Sequence, residues 1–100
     1  MIHQLKCKSK YFEDVVSGKK TFEVRENDRD FHLGDYLALN ELAANGIETG
    51  TSALFRVVYM LNNSMYCKEG FVILGIKPCM VINECVNPTI LKEGVSDGED

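Results

Sequence analysis

Several things are missing from this sequence, and each absence narrows what the chain does. Cys7, Cys67, Cys79 and Cys85 form no C-x-x-C pair, and His3 and His32 stand apart from them and from each other. The ligand spacings of metal sites are therefore absent, and neither a metal nor a cofactor is expected. No apolar run approaches the length of a transmembrane helix, so no membrane partner is expected. Met1-Ile2-His3-Gln4 leads straight into alternating residues and reads without a signal peptide. In that setting four cysteines read as reduced, mostly buried thiols of a cytoplasmic protein rather than as disulfides. There is no internal repeat, and no low-complexity segment apart from the acidic end.

A basic excess is lacking too. The formal net charge of −4 belongs to the C-terminal end: Glu93, Asp97, Glu99 and Asp100 are four of the fifteen acids, which leaves eleven acids against eleven Lys and Arg in residues 1–92. A neutral body argues against non-specific nucleic-acid binding, which calls for a strongly basic face. Seven of the eleven cations fall within the first 29 residues, so a local basic patch would be N-terminal. With 100 residues, 45% hydrophobic and 26% charged, the chain has the makings of one domain with a single modest core.

What is present alternates. Ile2 to Lys8 reads as a first strand, with Ile2, Gln4 and Lys6 opposite His3, Leu5 and Cys7. Ser9 is placed to cap a helix over Lys10 to Val16, whose Tyr11, Phe12, Val15 and Val16 fall at helical spacing, and Gly18 stands where a left-handed C-cap is wanted. Thr21 to Arg25 is a second strand, followed by turn residues Asn27-Asp28-Arg29-Asp30 and a second turn at Leu33-Gly34-Asp35. Tyr36 to Glu41 is the third strand, Ala43 to Gly50 a hairpin loop, and Thr51 to Leu61 a long strand with Ala53, Phe55, Val57 and Tyr59 facing one way. Asn62-Asn63-Ser64 breaks it. Phe71 to Ile76 is an uninterrupted apolar run expected to be buried on both sides. Five to six strands and one N-terminal helix predict an α+β fold, a small mixed β-barrel that closes to remove exposed edges. The domain is expected over residues 1–77. A C-terminal extension follows at 78–92, where Met80-Val81-Ile82 adds an edge strand or packs over the barrel, and residues 93–100 form an acidic mobile tail.

The densest cluster of unlike charges is Ser17-Gly18-Lys19-Lys20-Thr21-Phe22-Glu23-Val24-Arg25. Strand alternation puts Phe22 and Val24 on one face and Thr21, Glu23 and Arg25 on the other, with about 6–7 Å between the Cα atoms of Glu23 and Arg25. As an exposed ion pair these two contribute at most about 1 kcal/mol. In a cleft, the Arg25 fork suits a phosphate or base edge and Glu23 accepts from an exocyclic amine. Lys19 reads as a cation favoured by the helix C-terminus; Lys20 is the better ligand or base, a role that burial would favour by lowering its pKa. Arg29 extends the basic patch, whereas Asp28 and Asp30 read as a solvated turn. His3 reads as a satisfied structural histidine, and Tyr11 and Phe12 mostly as core, since a helical aromatic stripe packs inward, with stacking of one of them on a base as the alternative.

The pattern Gly18-x-Lys20-x-x-Glu23-x-Arg25 resembles the signature of the ASCH domains, members of the PUA-like superfamily. More closely, the chain looks like a small bacterial and phage family of uncharacterised ASCH-like proteins. The matching segments are His3 to Lys6, Tyr11-Phe12, Ser17 to Arg25, Asn27 to Phe31, Gly34-Asp35 and Lys68 to Lys77, in order. The resemblance implies a PUA-like β-barrel with its helix beside a cleft lined by the signature strand, and RNA or a nucleotide as partner, held by Lys20, Glu23 and Arg25; by its charge Arg29 joins them as a candidate contact. A related branch of small enzymes hydrolyses the amide of N4-acetylcytidine with a lysine, a strand threonine and a later glutamate. Lys20 matches the lysine, but the threonine position is Glu23 here, and Thr21 lies two residues before it. Binding is therefore the first expectation. A small amidohydrolase using Lys20 with Glu23 or Glu69 is the alternative, and a phage or mobile-element accessory protein acting through an apolar edge near Met80-Val81-Ile82 is a further one.

Overall fold

The computed structural model describes residues 1–62, 65–82 and 89–90. Asn63-Ser64 of the expected strand break, Cys85 and the acidic tail lie outside the described residues.

Strand β1 (Ile2–Lys8) has the bounds its alternation predicts, burying His3, Leu5 and Cys7 and exposing Ile2, Gln4, Lys6 and Lys8. Helix α1 (Ser9–Ser17) starts with no linker. Lys8, still extended at φ −60° and ψ 144°, is the cap residue, and no side chain caps the first turn. Ser9 is thus inside the helix rather than its cap, because Lys8 still pairs with Leu42 in the sheet and the chain turns directly from ladder to helix. The helix buries Phe12 and Val15 and ends, as expected, at Gly18 in the left-handed region (φ 86°). The Lys20 N–H then reaches back to the Asp14 carbonyl at 2.9 Å, outside the bond from the Gly18 N–H to the Val15 carbonyl.

Strand β2 (Phe22–Glu26) lies one residue later than its sequence pattern suggests. Thr21 joins only through its carbonyl, which accepts the Ile76 N–H at 3.0 Å. Strand β3 (Tyr36–Leu42) runs parallel to β1 and antiparallel to β4 (Glu48–Leu61), so the hairpin loop stops before Glu48 and Gly50 belongs to the strand. Strand β5 (Phe71–Ile82) is antiparallel to both β4 and β2, and a short β6 (Thr89–Ile90) pairs with it. The order across the sheet is β1-β3-β4-β5-β2. β1 and β2 stand at opposite ends of that order, yet the Arg25 side chain of β2 bonds the Lys6 carbonyl of β1. The sheet is curled into a half-barrel, mostly β with one short helix, as the alternation predicts in outline.

The concave side is the core, where Leu37, Leu39, Phe55, Val57, Val72 and Leu74 meet Phe12 and Val15 of the helix. Tyr59 is 64% exposed instead of joining Val57 inside, because the β4–β5 register slips between Val57 and Tyr59 and an extra residue turns the side chain over. A Cβ on Gly75 would lie 3.0 Å from the Tyr59 Cβ, so Tyr59 packs over a place that only glycine leaves free. Likewise β5 is buried on one side only: Val72, Leu74 and Ile76 are inside, whereas Phe71 and Ile73 are half-buried on the convex face. Nor does the sheet stop at Lys77. Pro78 enters β5 opposite Phe55, beside a register shift where a missing N–H is tolerated. Met80 and Val81 pair with β4 on one side and β6 on the other, so they form neither an edge strand nor an open apolar edge. Among the described residues no helix is long and apolar enough to cross a membrane.

A buried polar pair pins β1 to the start of β3. His3 Nε2 lies 2.8 Å from Asp35 Oδ2, and the His32 N–H donates to the same oxygen at 3.0 Å. His3 has the structural role its position suggests, with its ring 4.6 Å from that of Phe31. The hydrogen bond from His3, helped by the His32 N–H and opposed by burial, lowers the Asp35 carboxyl to about 2. A carboxyl depressed on folding contributes stability that is complete above its unfolded value near pH 4 and is lost as the pH falls toward 2. The contribution expected from Asp35 is about 2 kcal/mol. Urea denaturation at pH 6, 4 and 2.5 should show this acid loss in the wild type and a flatter profile in Asp35→Asn; equal slopes would exclude the role.

Candidate functional site

The two ends of the curled sheet meet without a backbone ladder. Consecutive carbonyls of a strand point to opposite edges, and the Met1 carbonyl takes the Tyr36 N–H on the β3 side. Those of Gln4 and Lys6 therefore point off the free edge of β1, where they need donors. Two arginines supply them. Arg25 Nη2 donates to the Lys6 carbonyl at 2.9 Å, and Arg29 Nη1 donates to the Gln4 carbonyl at 2.7 Å.

Pairing of β2 with β5 sets Glu23 opposite Leu74 and Arg25 opposite Val72, both of which face the core. The charged face of β2 is thereby turned inward and its apolar face outward, leaving Phe22 44% and Val24 48% exposed. Glu23 is buried, so the exposed ion pair that its spacing with Arg25 allows is not what forms. Arg25 Nε donates to Glu23 Oε1 at 3.2 Å, and Lys20 Nζ lies 3.8 Å from Oε2. Oε2 is buried and has no hydrogen-bond partner among the described residues. Lys20 is placed by its backbone bond to the Asp14 carbonyl and by two aromatic faces, with Nζ 4.8 Å from the Tyr11 ring centre and 5.5 Å from that of Phe22.

Around this carboxylate a pocket of about 400 Å³ opens through the seam, lined by Lys6, Cys7, Lys8, Tyr11, Lys20, Glu23, Val24 and Arg25. Its volume is within the range of small-molecule sites. Four cations surround one carboxylate, so the pocket is cationic at its walls with an acceptor inside. Burial, with the Glu23 charge next to it, pushes the Cys7 thiol up to about 11, which favours its protonated form. Among the described residues there is no group of His, Cys, Asp and Glu that could hold a metal ion.

Lys20, Glu23 and Arg25 thus converge, as the spacing on one strand and its preceding turn suggests. Other expected residues do not join them. Arg29 closes the seam and lines a separate hollow of about 110 Å³ with Leu5, Arg25 and Phe31. Glu69 is exposed in the turn before β5, beyond the Glu26 end of β2, and does not line the pocket. Lys19 and Thr21 are exposed, and Phe12 is core. Four lining residues went unrecognised as a group: Lys6, Cys7, Lys8 and Tyr11. The concentration of cations near the N-terminus was the signal for Lys6 and Lys8, and an aromatic that could stack on a base the signal for Tyr11; Cys7 had none, since curling alone brings β1 and the helix to β2. Asp30, at φ 52°, is the described non-glycine residue with positive φ, and it sits in the turn that carries Arg29 toward β1.

Residues 2–76, which include every residue lining the pocket, match the domain of unknown function DUF3850. The chain belongs to the DUF3850 family. An uncharacterised 12.9 kDa protein in the GpA 3′ region of Escherichia phage P2 is 37% identical over 73 residues. That match takes in 73% of this chain and 65% of the phage protein, so the chain spans just under two-thirds of that relative's length.

In this DUF3850 domain Arg25 has two obligations, a carboxylate and a carbonyl, whereas Arg29 has a largely exposed side chain. Arg25→Met should cost about 2–3 kcal/mol, since it leaves Glu23 buried without its closer cation. Arg29→Met should cost less than about 1 kcal/mol. Chemical denaturation checks both, and similar small losses for the two would show that Arg25 does not hold the seam.

Proposed function

We propose that this DUF3850 domain is a nucleobase-binding module, taking RNA or a nucleotide into the seam pocket. The observation that carries the reading is Glu23 Oε2, an acceptor buried at the pocket without a donor. Leaving such a group unsatisfied costs about 1–3 kcal/mol or more when it is charged. A ligand N–H recovers that cost. The cations around it suit the phosphate of a nucleotide, and Tyr11, 42% exposed at the pocket wall, offers an aromatic face. The curled barrel with its helix beside the pocket is in keeping with the ASCH and PUA-like resemblance of the Gly18 to Arg25 segment, and that resemblance favours RNA. Buried thiols at Cys7 and Cys67 suit a cytoplasmic setting. Because the body is neutral, affinity would come from one fitted base rather than from the length of a phosphate backbone.

Hydrolysis of acylated bases has less behind it. Thr21 and Glu69 stand outside the pocket, and Cys7 is held as a thiol. Calorimetric titration with nucleosides and short oligoribonucleotides tests the binding reading. Lys20→Ala should weaken binding about tenfold or more, as expected for loss of a charge-assisted contact. Lys19→Ala, an exposed neighbour, should change it less than about twofold. Equal effects of the two substitutions, or no binding by any of these ligands, would reject the site. Incubation with N4-acetylcytidine should release no acetate beyond a Lys20→Ala control.

A further inference from the structure

The order of the polar groups across the pocket carries more than the presence of a base. Lys20 Nζ stands on the Oε2 side of Glu23 and Arg25 Nε on the Oε1 side, at 3.8 Å and 3.2 Å respectively. The carboxylate is therefore flanked by a cationic donor on each side, and its free oxygen is the one acceptor between them. Lysine has three N–H donors and a guanidinium five, with no acceptor on either. Arg25 spends Nε on Glu23 and Nη2 on the Lys6 carbonyl, which leaves Nη1 for a ligand. Lys20 is held by the carboxylate and by the faces of Tyr11 and Phe22, so the donor side is fixed before a ligand arrives.

We infer that the pocket prefers an imide edge, the carbonyl, N–H and carbonyl in a row that uracil and thymine present. This rests on the nucleobase-binding reading above and names the class of base. The imide N–H would meet Oε2, and its two carbonyls would face Lys20 and Arg25. Each of the other bases leaves something unmatched. Cytosine carries its donor on this edge at one end, so bonding it to Oε2 leaves C5–H facing one of the cations, and the adenine amine projects ahead of N1 and N7, so bonding it to Oε2 holds both ring acceptors back from the cations. Guanine offers two adjacent donors, so pairing both with the carboxylate, whose Oε1 also accepts from Arg25, leaves a single carbonyl for the two cations. A site built to satisfy a ligand N–H rejects an analogue that lacks it, because its own buried acceptor is then stranded.

The test uses the unmodified chain and changes the ligand. Equilibrium titration with uridine, 3-methyluridine, cytidine and adenosine compares edges, since methylation at N3 removes the imide N–H and leaves the sugar and both carbonyls. Uridine should bind about tenfold or more tightly than each of the others. Uridine monophosphate and an oligouridylate then separate the two sources of such a base: equal affinity per site points to a free nucleotide, and a tighter oligomer to an RNA strand. Glu23→Gln should narrow the preference for uridine over 3-methyluridine, and the ligand series stands even if that variant folds poorly. Equal binding of uridine and 3-methyluridine, or preferred binding of cytidine or adenosine, overturns the imide inference and leaves base binding intact. Failure of all four to bind removes both.

Discussion

The fork of Arg25 joins two strands that share no ladder. One arm reaches the Lys6 carbonyl on the edge of β1, and the other holds Glu23 on its own strand. An edge strand leaves every second carbonyl unpaired, and a curled sheet brings those carbonyls to face its far end. Zipping the two ends together would have completed a barrel and filled the gap. Bridging them with side chains leaves the ends unzipped, and the pocket opens beside the Arg25 bridge, toward Lys20 and the helix, while the smaller hollow lies between Arg25 and Arg29. Closure and cavity are thus two results of the same bonds, so a change at Arg25 acts on stability and on the site together.

Turning β2 over is the cost of this arrangement. Its polar residues face inward and its apolar ones outward, contrary to ordinary strand patterning. Inside, Glu23 is tolerable because Arg25 and Lys20 lie against it. Outside, Phe22 lies opposite Gly75, over which Tyr59 packs, and Phe22 also gives its face to Lys20. The buried carboxylate and the aromatic ring that supports its lysine thus come from opposite faces of one short strand.

Much of this was legible in the residues, for reasons that differ from place to place. Alternation is local, so β1 and β3 could be read almost to the residue, and Gly18 announced the end of the helix. The grouping of Lys20, Glu23 and Arg25 followed from their spacing alone. Alternation says which side chains share a face but not which face is buried; that depends on pairing with β5, about fifty residues away, and it is why Glu23 could pass for an exposed partner. The slip that turns Tyr59 outward and the continuation of β5 through Pro78 are likewise set by partner strands. Tyr11 read as core because its helix neighbours Phe12 and Val15 are core, and only the arrival of Lys20 over its ring distinguishes it. Arg29 pointed to a basic patch by charge, whereas its use is to satisfy a carbonyl that no sequence pattern reveals.

All the side chains that line the pocket lie between residues 6 and 25, whereas the strand that holds β2 in place comes from residues 71–75. During synthesis from the N-terminus the whole lining is therefore made before the strand that positions it exists. A nascent chain that has reached β4 carries every pocket residue and no pocket, with the Glu23 carboxylate still in water. Assembly of the pocket is deferred until β5 has emerged and docked, so the cavity exists only once the core is nearly complete.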